Sequence, residues 1–267
     1  MKHALFAAAL AAALVACATS PTGRTQLRLF SGSEMNQMGI AAFDEMKAKD
    51  PLANNPQQSR YVQCVVEALV RVLPPDWQQL PWEAQVFQNE QANAFALPGG
   101  KVGVNTGMFQ VARNQDQLAA VIGHEIGHVV AQHSNERVSH TALAQTGMTA
   151  VQAYAGTRGA TPQNTQALMS ALGAGVQVGY LLPFSRVQET EADVVGQQLM
   201  ARAGFDPAAA AALWENMIAA SGRAGVPQLL STHPDPQNRI RELAARAPSL
   251  AADYQQARQE GRTPRCG

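Results

Sequence analysis

Three shortages bound what this 267-residue chain can be. Its charge is balanced, with 20 Lys and Arg against 20 Asp and Glu. The basic residues gather into no stripe, which excludes a nucleic-acid partner. Cysteine is scarce, three in all, and the spacing of Cys17, Cys64 and Cys266 fits no metal site. Long apolar runs are also missing: after residue 17 no segment is long and apolar enough to be a transmembrane helix. No internal repeat is evident.

The one apolar run stands at the start. Lys2 precedes Ala4 to Ala16, thirteen residues, too short for a permanent span and suited to a signal peptide. It ends in Leu14-Val15-Ala16-Cys17, which resembles a bacterial lipobox, so residues 1–16 read as a lipoprotein signal and Cys17 as the lipidated first residue. Ala18, rather than an aspartate, follows it and favours the outer membrane as anchor. Residues 17–32 are polar and turn-rich and read as a tether, leaving 33–267 as a single domain. Without Lys2 the remaining net charge is about −1. In an oxidising compartment Cys64 and Cys266 can pair and pin the C-terminal tail to an early helix. Two free thiols are the alternative.

The chemistry is concentrated in Val121 to Val130, at His124-Glu125-x-x-His128. Residues four apart share a helix face, so two histidines in this register can hold one metal ion between them. Glu125 lies about 100° further round, within reach of a water on that metal. A helix is supported by Asn114 and Gln117, spaced as a capping box, and by Leu118, Val121, Ile122, Ile126, Val129 and Val130. Gly123 and Gly127 each cost about 1 kcal/mol of helix propensity, so a close neighbour is expected on their side. A lone histidine in such a helix is usually a satisfied core residue; the pair with Glu125 is what indicates zinc.

Around this helix the pattern is mostly helical. Helices are expected over 33–48, after Ser33 as N-cap, and from Gln57 to Leu73, ended by Pro74-Pro75. The β content falls in Trp82–Phe87, Ala92–Leu97 and Lys101–Asn105, with Pro98-Gly99-Gly100 as a hairpin turn. The fold class is therefore α+β, mostly helical, with a small sheet or hairpin beside the zinc helix. An extended substrate can add itself to such a sheet edge, at Asn93, Ala94 and Phe95. A sheet that only covers the core is the plainer alternative. Asn135 to Tyr154 reads as helix, Ala155 to Pro162 as loop, and Gln163 to Gly179 as a weakly packed helix or a flap.

A catalytic zinc site needs a third protein ligand. Ala131 and Ser134 stand where a metzincin would have glycine and histidine, which excludes that class, and His133 and His140 read as polar surface residues. Ser185 and Gln188 match a capping box that starts a helix just before Glu189, and puts Glu189 and Asp193 on one face with Glu191 pointing elsewhere. Glu189 is assigned to the metal, and Asp193 to orienting a liganding imidazole. A solvated acidic helix start is the alternative.

Taken together, Asn93-Ala94-Phe95-Ala96-Leu97-Pro98-Gly99-Gly100, the His124 to His128 helix, Ser185-Arg186 through Glu189 and Asp193, and Thr232-His233-Pro234 with Arg239 resemble a known family. It is that of the zinc metallopeptidases including HtpX, the Ste-type CAAX prenyl proteases, the Oma-type proteases, and periplasmic BepA and LoiP. The lipobox places the chain nearest the BepA and LoiP type. The resemblance implies a zincin-like domain with one Zn2+ per chain, Glu189 as third ligand, and a part for Arg239 beside the site. It also implies a role for His233, either as oxyanion donor or as a ligand that keeps the site latent. Asp235 and Pro236 read as N-cap and first residue of a last helix.

The expectation is a zinc endopeptidase of the periplasm, held to the outer membrane through Cys17, with Glu125 as general base. Its expected partners are unfolded or misassembled envelope polypeptides and the outer-membrane assembly machinery. A non-proteolytic, zinc-stabilised assembly factor for outer-membrane proteins is the first alternative. A zinc amidase acting on cell-wall peptides is the second.

Overall fold

The computed structural model describes residues 17–157, 161, 182–221, 229–230, 233 and 235–267. The apolar leader 1–16 and the segment 163–179 lie outside the described residues. In chain order the elements are β1 (Cys17–Thr19), β2 (Thr25–Leu27), α1 (Gly32–Lys49), α2 (Pro56–Val70), β3 (Glu83–Phe87), β4 (Ala94–Leu97), β5 (Lys101–Asn105), α3 (Gln115–Val130), α4 (His133–Thr157), α5 (Leu182–Ala203), α6 (Ala209–Ala220), α7 (Pro236–Arg246) and α8 (Ala251–Gln259). Helices dominate and the strands are short, as the α+β expectation has it. Among the described residues no helix is long and apolar enough to cross a membrane.

The chain groups into two compact units, between which the span 33–267 is divided. One holds Gly32–Ala131 and Glu189–Gly267. Its central helix is α3, whose start is set by side chains. Asn114 accepts the N–H of Gln117 at 2.9 Å, and the Gln117 carboxamide accepts the N–H of Arg113 at 2.8 Å. Leu118, Ile122 and Ile126 are fully buried there with Val65, Leu69, Val102, Val104, Met108, Leu213 and Met217. The neighbour that Gly123 and Gly127 call for is α5. A Cβ on Gly127 would stand 2.8 Å from the Ala192 carbonyl oxygen, and one on Gly123 3.1 Å from that of Gly196. Backbone contact this close brings the faces of α3 and α5 together, which offsets the propensity the glycines give up.

The sheet order is β3-β5-β4, with β4 antiparallel and β3 parallel to β5. The hairpin turn uses Gly99 and Gly100 at φ +85° and +74°, a region open to glycine. The Asn105 N–H donates to the Asn93 carbonyl, so Asn93, Phe95 and Leu97 turn their backbone groups toward β5. Ala94 and Ala96 turn theirs to the side away from β5, as does Ala92, whose carbonyl accepts the Leu229 N–H. Of the three residues expected to align a substrate, Ala94 turns its main-chain groups away from β5, and Asn93 and Phe95 turn theirs toward it. Helix α1 begins at Gly32, so Ser33 lies inside its first turn, and its buried stripe narrows to Met35, Gly39 and Phe43. Cys64 on α2 is disulfide-bonded to Cys266, with Cα atoms 5.5 Å apart.

The other unit holds the described residues up to Ser31 and those of Gln132–Gln188. Here the expected tether is folded. β1 and β2 form an antiparallel hairpin, and Arg24 pairs through both guanidinium ends with Glu136 on α4. Gln26 and Gln188 also donate to Glu136. Leu29 donates its N–H to Ser139, and Asn135 donates to the Phe30 carbonyl. Burial pushes the Glu136 carboxyl up, but Arg24 and Gln188 outweigh it and hold the group below the usual range. His133 and His140 are buried, not on the surface as expected. Helix α4 also runs on to Thr157, past the expected loop start at Ala155.

Candidate metal centre

Two helices and one loop residue bring the ligands together. Helix α3 supplies His124 and His128 one turn apart, and α5 supplies Glu189. Helix α5 starts at Leu182, so Ser185 lies within it rather than at its cap, yet Glu189 and Asp193 still share a face. Both are buried, which removes the reading of a solvated acidic helix start. His233 stands just ahead of α7. Pro236 opens that helix, while Asp235 has left-handed backbone angles and makes no side-chain capping bond.

One donor atom from each of His124, His128, Glu189 and His233 lies within 4.8 Å of the others. His124 Nε2 is 3.1 Å from His128 Nε2 and 3.2 Å from His233 Nδ1. Glu189 offers Oε2 at 3.3 Å from His124 Nε2 and Oε1 at 3.4 Å from His128 Nε2. Ligands about 2.0–2.1 Å from a tetrahedral zinc stand roughly 3.3–3.4 Å from one another, so the spacing and the N/O donor set fit that ion. His128 and His233 are the more exposed pair.

Glu125 is buried, and its Oε1 has no hydrogen-bond partner. His233 Nε2 stands 3.5 Å from that oxygen. Burial pushes the Glu125 carboxyl up, more than the neighbouring imidazoles draw it down. A desolvated, unsatisfied carboxylate oxygen beside four metal-type donors is expensive unless it has work to do on a bound molecule.

Behind the ligands lies a charged support. Asp193 Oδ1 is 3.0 Å from His124 Nδ1, so an N–H there donates to the carboxylate and turns the Nε2 lone pair to the cluster. Arg239 donates from Nε to Asp193 Oδ2 at 2.7 Å and from Nη1 to Glu189 Oε2 at 3.0 Å. Burial raises Glu189 and Asp193, but the imidazoles for the first and Arg239 for the second prevail, and both carboxyls are held well below their usual range. For His124, burial and Arg239 oppose protonation, while Asp193 and Glu189 outweigh them and lift the imidazole to about 9. Without metal the cluster therefore holds a proton that a metal must displace.

Trp214 on α6 is a part the sequence does not announce. The Arg239 guanidinium stacks 3.7 Å over its ring, and His124 meets the same indole edge-on at 6.2 Å. Its only signal is a large aromatic in the alanine-rich run 208–220. Thr232 and Pro234 lie outside the described residues.

Residues 56–247 match the model of Peptidase family M48. Among curated proteins, the chain is 40% identical over 184 residues to the mitochondrial metalloendopeptidase OMA1 of Schizosaccharomyces pombe, covering 68% of this chain and 51% of that one. It is 31% identical over 223 residues to the beta-barrel assembly-enhancing protease of Escherichia coli, covering 81% and 44%. With the mitochondrial metalloendopeptidase OMA1 of Danio rerio it shares 34% over 236 residues, covering 83% and 48%. The chain thus spans about half the length of the curated relatives it matches.

Proposed function

The chain belongs to peptidase family M48, and from that premise we propose that it is a zinc-dependent endopeptidase of unfolded or misassembled envelope polypeptides. The observation that carries this reading is Glu125, buried with one oxygen unsatisfied beside the ligand cluster. His124, His128 and Glu189 would hold one zinc ion. When bound, the ion supplies Lewis acidity, which brings a water's pKa to around 7 and polarises a carbonyl. Glu125 takes the proton of the attacking water and returns it to the leaving amine, two tasks suited to a carboxyl raised by burial. Asp193 and Arg239 keep His124 and Glu189 oriented. The backbone of Ala94 and Ala96 pairs with an extended substrate at the β4 edge.

His233 supports a latent resting state. Its Nδ1 sits 2.7 Å from Glu189 Oε2 and 3.2 Å from His124 Nε2, the place of a fourth ligand. Moved aside, the same imidazole can donate to the oxyanion of the reaction.

The compartment rests on other features. The lipobox at Leu14 to Cys17 supports a periplasmic enzyme on the outer membrane, and the Cys64–Cys266 bond suits an oxidising compartment. The name of the Escherichia coli relative supports work alongside outer-membrane assembly machinery.

The test is cleavage of casein by the zinc-loaded full chain and by Glu125→Gln. The parent should cleave, a chelator should stop it, and the variant should retain zinc while losing about 10²–10⁴-fold in rate. Equal rates would remove Glu125 as general base and advance the non-proteolytic assembly factor. Silence from both zinc-loaded forms would make His233→Ala the next variant, with activity expected to appear.

A further inference from the structure

Arg239 is a buried cation whose edge is engaged by two carboxylates. Nε and Nη2 donate to the two oxygens of Asp193, while Nη1 reaches Glu189 Oε2. Those bonds fix where the edge of the guanidinium points and leave its two faces bare. Against apolar filler alone, the face of a buried cation is costly. Trp214 covers one of them. Its indole lies 3.7 Å from the guanidinium carbon, the spacing of a stacked pair, and an aromatic face is an apolar surface that attracts a cation.

The indole is placed to set that plane. Trp214 sits on α6, where Leu213 and Met217 are buried with it. Asn216 donates to the Val111 carbonyl and to the Gln117 carboxamide oxygen, both at 3.1 Å. Those bonds tie α6 to the start of α3, the helix that carries His124 and His128. Arg239, by contrast, reaches the site on a long side chain from the first turn of α7. Such a side chain gives up much rotamer freedom and holds one geometry only when its end is pinned. A guanidinium that tilted off the indole would draw Nη1 from Glu189, and Nε and Nη2 from Asp193. Asp193 in turn holds His124 Nδ1 at 3.0 Å. One aromatic face thus stands behind two of the side chains assigned to the metal, and His124 meets the same ring edge-on at 6.2 Å.

We propose that Trp214 is a positioning residue of the metal centre. Its indole face holds the Arg239 guanidinium in the plane from which it orients Glu189 directly and His124 through Asp193. The proposal rests on the metallopeptidase reading for the ion, but its test reads metal binding rather than cleavage. The full chain is produced with tryptophan, monofluorotryptophan or trifluorotryptophan, and its zinc affinity is measured by competition with a chelating dye. Fluorine drains the negative face of the ring while barely altering its shape, so packing is kept and the attraction for the cation is weakened. Trp214→Phe, which retains Trp77 and Trp82, is the control and is produced in the same way. The parent's zinc affinity should fall stepwise with fluorination, by about threefold for the trifluoro ring. In Trp214→Phe it should start about threefold lower and no longer respond to fluorination. Trp214→Leu, apolar but without an aromatic face, should lose about tenfold; should that variant not fold, the fluorinated chains carry the test without it. Urea midpoints of the metal-free proteins check that the fold is kept. An affinity that fluorination leaves unchanged, or lowers equally in Trp214→Phe, would assign the indole to packing alone and overturn the proposal, while casein cleavage by the parent still upholds the peptidase. A stepwise loss of affinity with no cleavage by the parent or by its His233→Ala form upholds the positioning role and overturns the peptidase. A parent that takes up no zinc overturns both.

Discussion

Asp193 never reaches the ligand cluster, yet the geometry makes it the residue on which His124 depends. The imidazole has two nitrogens, and only a donor–acceptor bond at Nδ1 guarantees that Nε2 keeps a lone pair for the metal. Asp193 supplies that bond at 3.0 Å and also neutralises the buried Arg239. Asp193→Ala should therefore weaken zinc binding by about 10–100-fold, read by competition with a chelating dye, while Asp193→Asn, which still accepts the Nδ1–H, should recover part of it. An affinity unchanged in Asp193→Ala would show that Arg239 and Trp214 hold the ring unaided. This residue was legible in the sequence because its spacing from Glu189 is local, one helical turn. Trp214 was not, because its contact to Arg239 is made across distant segments and leaves no periodic mark. His133 and His140 misled for a related reason: a buried histidine is indistinguishable from an exposed one until the elements around it are placed.

At the scale of elements, the sheet is tied to α1 by charge as well as by packing. Glu83 on β3 accepts from Lys47 of α1 at 2.8 Å and from Lys101 of β5 at 3.1 Å. The Lys47 hydrogen bond is the main reason that its carboxyl falls from 4.5 to about 2. A carboxyl with a lowered folded-state pKa adds stability that is fully present above the unfolded value and lost as pH falls through the folded one. The window is thus from pH 4.5 down to about 2. Partial exposure limits the effect, so Glu83→Gln should cost about 1 kcal/mol at pH 6. The gap between parent and variant should close as acid protonates Glu83, which urea titrations across that range would detect; a gap constant with pH would assign the cost to shape. The three strands were legible from composition and turn residues, and the hairpin from Pro98-Gly99-Gly100. The parallel pairing of β3 with β5 was not, since nothing local tells a strand which neighbour it will take. The hairpin at residues 17–27 was hidden in the same way, for Arg24 reads as a solvated charge until Glu136, 112 residues on, is set beside it.

At the largest scale, the C-terminal tail returns to α2. Cys266 bonds to Cys64 across 202 residues, and hydrogen bonds reinforce the closure: Gln115 donates to the Pro264 carbonyl and accepts the Cys266 N–H, while Arg262 donates to the Arg202 carbonyl. Both helices that carry metal ligands, α3 and α5, lie within the closed loop. A cross-link acts chiefly by denying the unfolded chain its freedom, and the benefit grows slowly with the length enclosed. For a loop this long, replacing both cysteines by serine should lower the unfolding free energy by about 5 kcal/mol, seen as a lower guanidinium midpoint. The same variant should keep zinc stoichiometry and casein cleavage under native conditions, because no ligand contacts either cysteine. Loss of stability confined to fast amide exchange in residues 262–267, with the midpoint unmoved, would instead make the bond a clasp for the tail alone. A global loss would mean that the cross-link sets the margin on which the site persists, and that reducing conditions would leave this chain short of it.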